Sequence, residues 1–225
     1  MAGIMYGIGV GPGDPELMTI KAVKRIRELK VIAIPHKDKE KCTSYEIARQ
    51  AVPEITEKEC LCLHMPMIKD EEALKRSHDE AAEAVMERLK QGEDVGFLTL
   101  GDVSIYSTFA YLAERVISEG YEIQLVSGIP SFCAASARLN LPLVSGSEQL
   151  HIIPASYQIT HALKLPGVKV LMKAGRQMSA VKEEIKNSGL TAVMVENCGM
   201  EEEQIYLNLD EIPETAGYYS LLIVR

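Results

Sequence analysis

Short apolar runs, each closed by a glycine-rich or polar loop and followed by apolar positions at helical spacing, recur through the first half of this chain. Tyr6 to Val10 has strand length and runs into Gly11-Pro12-Gly13-Asp14-Pro15-Glu16, with a helix beginning near Thr19. Val95 to Leu100 is a second such run. It is followed by Gly101-Asp102-Val103-Ser104-Ile105-Tyr106-Ser107-Thr108, and then by Phe109, Leu112, Ala113 and Val116 on one helical face. The third unit is a strand from Ile123 to Val126, the loop Ser127-Gly128-Ile129-Pro130-Ser131, and a small-residue helix from Phe132 to Leu139 that Asn140 stops. Parallel α/β sheets place ligands beyond the carboxyl ends of their strands, so the three loops predict one small-molecule site.

The remaining pattern reads as scaffold. Thr43-x-x-Glu46 has the capping-box spacing and opens a helix to Ala51. Asp70 to Gly92 is an acidic amphipathic helix with Leu74, Ala81, Val85 and Leu89 inward. Glu57 to Met65 alternates as a strand, which makes Cys60 and Cys62 same-face neighbours buried in a sheet as packing residues. Beyond Leu143 the chain becomes strand-rich: Leu150 to Pro154, Val168 to Met172, Ala192 to Val195, Gln204 to Leu207 and Tyr218 to Val224, with one clear helix at Met178 to Asn187. Parallel strands crossed by helices come first and a more antiparallel region follows. This predicts an α/β chain of two domains, 1–126 and 127–225, joined near Val126 to Ser131.

Gly7, Gly9, Gly11 and Gly13 leave the first strand and its loop bare on one side, a pattern suited to close approach by a ligand or to a tight structural turn. The dinucleotide fingerprint fails, because its third glycine falls on Pro12 or Asp14. No Gly-Lys-Ser/Thr is present for a phosphate loop. At 225 residues and 47% hydrophobic composition the chain can fill two modest cores. No apolar run is long enough to span a membrane, and the amino terminus lacks secretory order, so a cytoplasmic protein is expected. The net charge of −8 argues against a nucleic-acid partner. Five cysteines without a Cys-x-x-Cys pair, and five histidines without i, i+4 pairing, suggest reduced thiols and no protein-built metal site.

The three loops together closely resemble the tetrapyrrole methylase family, whose members move a methyl group from S-adenosylmethionine onto a porphyrinoid ring. The resemblance spans almost the whole chain. It rests on Gly9-Val10-Gly11-Pro12-Gly13-Asp14-Pro15-Glu16-Leu17 with Thr19-Ile20-Lys21-Ala22, on Leu98-Thr99-Leu100-Gly101-Asp102, on Gly128-Ile129-Pro130-Ser131, and on Val170-Leu171-Met172 and Val195-Glu196-Asn197. The versions Ser104 to Thr108, Val195 to Cys198 and Tyr219 to Val224 are most similar to the branch acting at carbon 20 of precorrin-2 or its cobalt form, in cobalamin biosynthesis.

That resemblance implies a two-domain fold with an active site in the interdomain cleft, and a homodimer. It implies cofactor contacts at Pro12, Leu100, Gly101, Asp102, Ile105, Pro130, Ser131, Met172 and Cys198, and tetrapyrrole contacts at Gly11, Gly13, Asp14, His36 and Tyr106. By residue type alone, Asp102 is a carboxylate placed to accept from a ribose or ammonium group, with a helix N-cap as its alternative; Met172 is ordinarily core, and Tyr106 stacks on the macrocycle or packs. An acidic protein that binds a polycarboxylate must gather cations locally. Lys21, His36, Lys37, Lys39, Lys173 and Arg176 lie near predicted loop ends, although each is individually an ordinary surface charge.

The chain departs from the family pattern at three places. Val103 replaces a common proline, Cys198 a common glycine, and Pro35 stands where some relatives have a proposed proton-accepting aspartate. No catalytic residue is therefore assigned, and His36, water or a substrate carboxylate remain as proton acceptors. Two other readings stay open: a family methylase acting at another ring carbon or on a protein acceptor, and a tetrapyrrole-binding protein without catalysis.

Overall fold

The computed structural model describes residues 1–68, 70–155 and 159–225, with the side chain of Arg176 outside the description. Its contacts divide the chain into two compact units, Met1–Pro130 and Ser131–Arg225.

The first unit is built on a five-stranded sheet of β1 (Met5–Gly9), β2 (Val31–Ile34), β3 (Glu59–Cys62), β4 (Val95–Thr99) and β5 (Ile123–Val126), in the order β3-β2-β4-β1-β5. Every pairing is parallel. The helices α1 (Ile20–Glu28), α2 (Thr43–Ala51), α3 (Glu71–Lys90) and α4 (Phe109–Ser118) belong to this unit. Side chains alternate across a strand, so each face carries its own core. Tyr6, Ile8, Ile32 and Ile34 share a cluster with Ile26 of α1 and Ile47 of α2. Met5, Val31, Ala33 and Phe97 share another with Val85 and Leu89 of α3 and Leu112 of α4. Phe97 is fully buried, and truncating such a side chain to alanine costs about 3–5 kcal/mol.

Several sequence expectations change here. The first helix is capped as its sequence suggests, with the Thr19 side chain accepting the Ala22 N–H at 3.2 Å. The helix α2, however, takes Cys42 as its N-cap, with no side-chain cap bond, so the Thr43/Glu46 box is not used. Glu46 instead accepts two hydrogen bonds from Arg49, at 2.7 and 2.9 Å. Leu74 is only half-buried, whereas Ala81, Val85 and Leu89 face the core as expected. Strand β3 is shorter than the alternation suggested and lies at the sheet edge. Cys60 and Cys62 do share a face, but Cys60 is half-buried and Cys62 is exposed.

The second unit holds α5 (Ser131–Arg138), β6 (Leu150–Pro154), α6 (Thr160–Leu163), β7 (Val168–Met172), α7 (Met178–Asn187), β8 (Ala192–Glu196), β9 (Gln204–Tyr206) and β10 (Ser220–Val224). Its sheet runs β6-β7-β10-β8-β9 and is mixed: β6 and β7 are parallel, and the other pairings are antiparallel. Leu171, Met194, Leu222 and Val224 pack with Met178, Val181 and Ile185 of α7. The short helix α6 gave no usable signal at four residues.

Candidate functional site

In the first unit the loops after β1, β4 and β5 are joined to one another by named bonds. Gly11, with φ of +81°, and Gly101, with φ of +72°, form an isolated antiparallel bridge. Gly101 N–H donates to Gly11 O at 2.7 Å, and Gly11 N–H donates to Gly101 O at 3.2 Å. Both residues lie in the left-handed region that glycine enters without steric cost. Thr19 ties the first loop to the third, its hydroxyl donating to Ser127 O at 3.1 Å.

Asp102 joins the second loop to the third. Its Oδ2 accepts the Gly128 N–H at 2.9 Å, while Oδ1 accepts the Ser104 N–H at 2.8 Å and the Ser104 hydroxyl at 2.5 Å. Both oxygens are thus engaged by the protein, and the residue is 8% exposed. It is not the N-cap of α4, a position held by Thr108. The carboxylate acts as a clasp, and charge-assisted bonds of this kind are about twice as strong as neutral ones.

The alternating glycines serve this clasp. A Cβ at Gly9 would lie 2.6 Å from Gly101 O and from Gly128 N, and one at Gly7 would lie 2.7 Å from the Phe109 ring and from Val103. The bare side of β1 is therefore covered by the chain's own loops and by α4. Val103, the replacement for the family's proline, is buried in this packing.

Around these bonds the expected contact residues are distributed as follows. Gly11, Pro12 and Gly13 are buried in the first loop, and Asp14 caps the following 3-10 turn by accepting the Glu16 N–H at 2.8 Å. Leu100 and Ile105 are half-buried in the second loop, and Pro130 in the third. Tyr106 is 47% exposed and holds φ of +50°, a conformation an aromatic residue adopts only at a cost. His36 lies just past β2, at the same carboxyl end of the sheet as the three loops. Its Nδ1 lies 2.7 Å from Asp38 O and 3.0 Å from Asp38 N, so its contacts are local.

Three expected residues belong to the second unit. Ser131 begins α5, Met172 ends β7 and Cys198 follows β8, with Met172 and Cys198 half-buried. Met172 pairs with Leu221 and Glu196 with Ser220, so β7 and β8 end on either side of the start of β10. The residue after each strand is left-handed: Lys173 at φ +63° and Asn197 at φ +52°. Asn197 N–H donates to Tyr219 O at 3.2 Å, the Glu196 carboxylate accepts the Gly217 N–H, and the Lys173 ammonium lies 5.9 Å from the Tyr218 ring centre. Sequence reading named Lys173 only as a candidate cation and Glu196 only within the family match, gave Tyr218 no role, and did not foresee the left-handed turns. Only Asn197 carried a signal, because asparagine is enriched in left-handed conformations.

Among the expected cations, Lys21 is exposed on α1, and Lys39 lies 6.0 Å from the Tyr45 ring centre. Arg176 lies outside the described side chains. Among the described residues no group of three or more metal-ligating side chains occurs, and no helix is long and apolar enough to cross a membrane.

A parallel sheet with three clasped loops beyond its strand ends, accompanied by a mixed second sheet, defines an α/β protein of two units built to hold a small molecule. The model of the tetrapyrrole (corrin/porphyrin) methylases matches residues 5–213, and the chain belongs to that family. It is 34% identical over 226 residues to a probable cobalt-precorrin-2 C(20)-methyltransferase of Methanocaldococcus jannaschii, covering 98% of this chain and 95% of the relative. The cobalt-precorrin-2 C(20)-methyltransferase of Salmonella typhimurium is 29% identical, with 100% and 97% covered. Among solved structures, a cobalt-precorrin-4 methyltransferase aligns with a TM-score of 0.75 at 20% identity, over 98% of this chain and 94% of that one. A uroporphyrin-III C-methyltransferase of Thermus thermophilus, in complex with S-adenosylhomocysteine, aligns at 0.71 and 19%, over 99% and 97%. These two likenesses establish the fold.

Proposed function

We propose that this chain transfers the methyl group of S-adenosylmethionine to carbon 20 of precorrin-2 or cobalt-precorrin-2 in cobalamin biosynthesis. The observation that carries this reading is the 34% identity to a C(20)-methyltransferase across nearly the full length of both chains. The clasped loops supply its physical basis. A sulfonium nucleoside needs apolar walls and fixed main-chain groups more than a reactive side chain, and Pro12, Leu100, Ile105 and Pro130 provide such walls beside the Gly11–Gly101 bridge. In this reading Gly101, Asp102, Ser131, Met172 and Cys198 complete the cofactor contacts. Gly11, Gly13, Asp14, His36 and Tyr106 face the tetrapyrrole.

S-adenosylmethionine brings an already activated methyl group. The chain's work is to hold it, aim it and exclude water. Asp102 contributes by fixing Gly128 and Ser104, which leaves cofactor recognition to the main chain around it. Pro35 offers no proton-accepting side chain, so the ring proton leaves to His36, water or a substrate carboxylate. Val103, one of the departures from the family pattern, is buried in the core of the first unit.

The protein works in the cytoplasm as a homodimer, each chain having two domains that join within Val126 to Ser131. Exposed Leu141, Val144, Ile205 and Leu207 in the second unit supply apolar surface for self-association. Methyl-labelled S-adenosylmethionine incubated with metal-free and with cobalt-loaded precorrin-2 tests the activity. Mass spectrometry should find one added methyl, and carbon NMR should place the label at carbon 20. Bound ligand without transfer would remove the enzymatic reading, and label at another ring carbon would remove the branch.

A further inference from the structure

Outside the three loops, one cluster of soft ligands stands at the free edge of the first unit's sheet. We propose that Cys60 and Cys62 form a two-coordinate thiolate site for a monovalent d10 cation, copper(I) or silver(I). Strand β3 ends the sheet, and its parallel register sets Cys60 beside Ile32 and Cys62 beside Ile34, so both thiols project from one face. Their sulfur atoms lie 4.0 Å apart. With metal–sulfur bonds of roughly 2.3 Å, a bent or linear S–metal–S unit spans about 3.8–4.6 Å, so the pair needs no backbone movement to close on an ion.

The number of ligands selects the metal. Among the described residues no group of three or more histidine, cysteine or carboxylate side chains is placed to share an ion, which removes tetrahedral zinc and the oxygen-rich sites of harder cations. Two thiolates satisfy a soft monovalent ion by themselves. Cys62 is exposed and gives the ion a path from solvent, while half-buried Cys60 shields it from exchange.

Binding breaks two S–H bonds and forms two S–metal bonds, releases two protons to water and transfers no electrons. The filled site carries one net negative charge, and the Lys39 ammonium acts favourably on Cys60. Burial, then the neighbouring Cys62, push the Cys60 thiol up to about 12.

The test uses the full chain, reduced and free of oxygen, titrated with copper(I) against a chromophoric copper(I) chelator. Native mass spectrometry counts bound ions, and X-ray absorption identifies the ligands. One copper with sulfur-only, two-coordinate scattering is expected in the unaltered protein and in Cys133→Ser. Cys60→Ser and Cys62→Ser should each bind on the order of 100-fold more weakly, with unchanged circular dichroism. Cys62 is exposed, so its variant keeps the test valid even where Cys60→Ser disturbs packing. Retention of copper by the Cys60/Cys62 double variant, loss of copper in Cys133→Ser, or no copper held by the unaltered chain would overturn the proposal.

Discussion

The Asp102 carboxylate accepts the main-chain N–H of Gly128 at 2.9 Å and so fastens the loop after β4 to the loop after β5. With the Ser104 bonds it leaves neither oxygen idle. Asp102→Ala strands the Gly128 and Ser104 donors at a nearly buried position, which costs about 2 kcal/mol, or about 4–8 °C in Tm for a chain of this size. Asp102→Asn keeps one carbonyl acceptor and should lose about half as much. Differential scanning calorimetry checks the ranking, and an unchanged Tm in Asp102→Ala would remove the clasp.

Gly9→Ala should be more damaging than Gly7→Ala. The added methyl at position 9 meets main-chain atoms of Gly101 and Gly128, both at 2.6 Å, whereas at position 7 it meets side chains of Phe109 and Val103 that can turn. Overpacking of this kind costs about 1–3 kcal/mol, with the upper end expected where backbone must move. Because the three loops rest on Gly9, its variant should also lose S-adenosylhomocysteine binding in calorimetry. A Gly9→Ala protein with full affinity would show that the loops are not held through this strand.

Much of this arrangement was legible in the sequence. The apolar runs at Tyr6, Val95 and Ile123 and the loops after them located all three linked turns, because strand length and helical spacing are local properties. What the glycines do was not legible. Their bareness was consistent with ligand approach, and only the packing of Phe109, Val103 and Gly128 reveals that the chain covers them itself. The Thr43/Glu46 pattern misled because a cap is decided by where the backbone turns, and here it turns at Cys42. The long-range bonds of Asp102 and Thr19 join residues 26 and 108 positions apart, which no local window reports.

Tyr106 stands at φ +50°, where a non-glycine residue carries roughly 1 kcal/mol of strain. Relief of that strain and loss of the ring should therefore pull in opposite directions. Tyr106→Gly is expected to change Tm by no more than about 2 °C, while kcat/KM for the tetrapyrrole falls at least about tenfold. Tyr106→Phe keeps the ring and should retain most activity. Full activity in the glycine variant would show that the strained aromatic has no part in acceptor binding.

His78, nearly buried on α3 and stacked on Tyr111 of α4 with ring centres 4.8 Å apart, should govern acid sensitivity of the first unit. Burial, then the Arg115 guanidinium, lower its pKa from the ordinary 6.5, with Asp79 opposing in part. A lowered histidine pKa means that the unfolded chain binds the proton more readily than the folded one. Stability is then undiminished above about pH 7 and declines as pH falls through 6.5 toward the folded value. His78→Gln cannot titrate and should flatten that decline, at the expense of some stability at neutral pH from the lost stacking. Urea midpoints measured between pH 5 and 8 decide the matter, since equal slopes in the two proteins would assign the acid sensitivity to other groups.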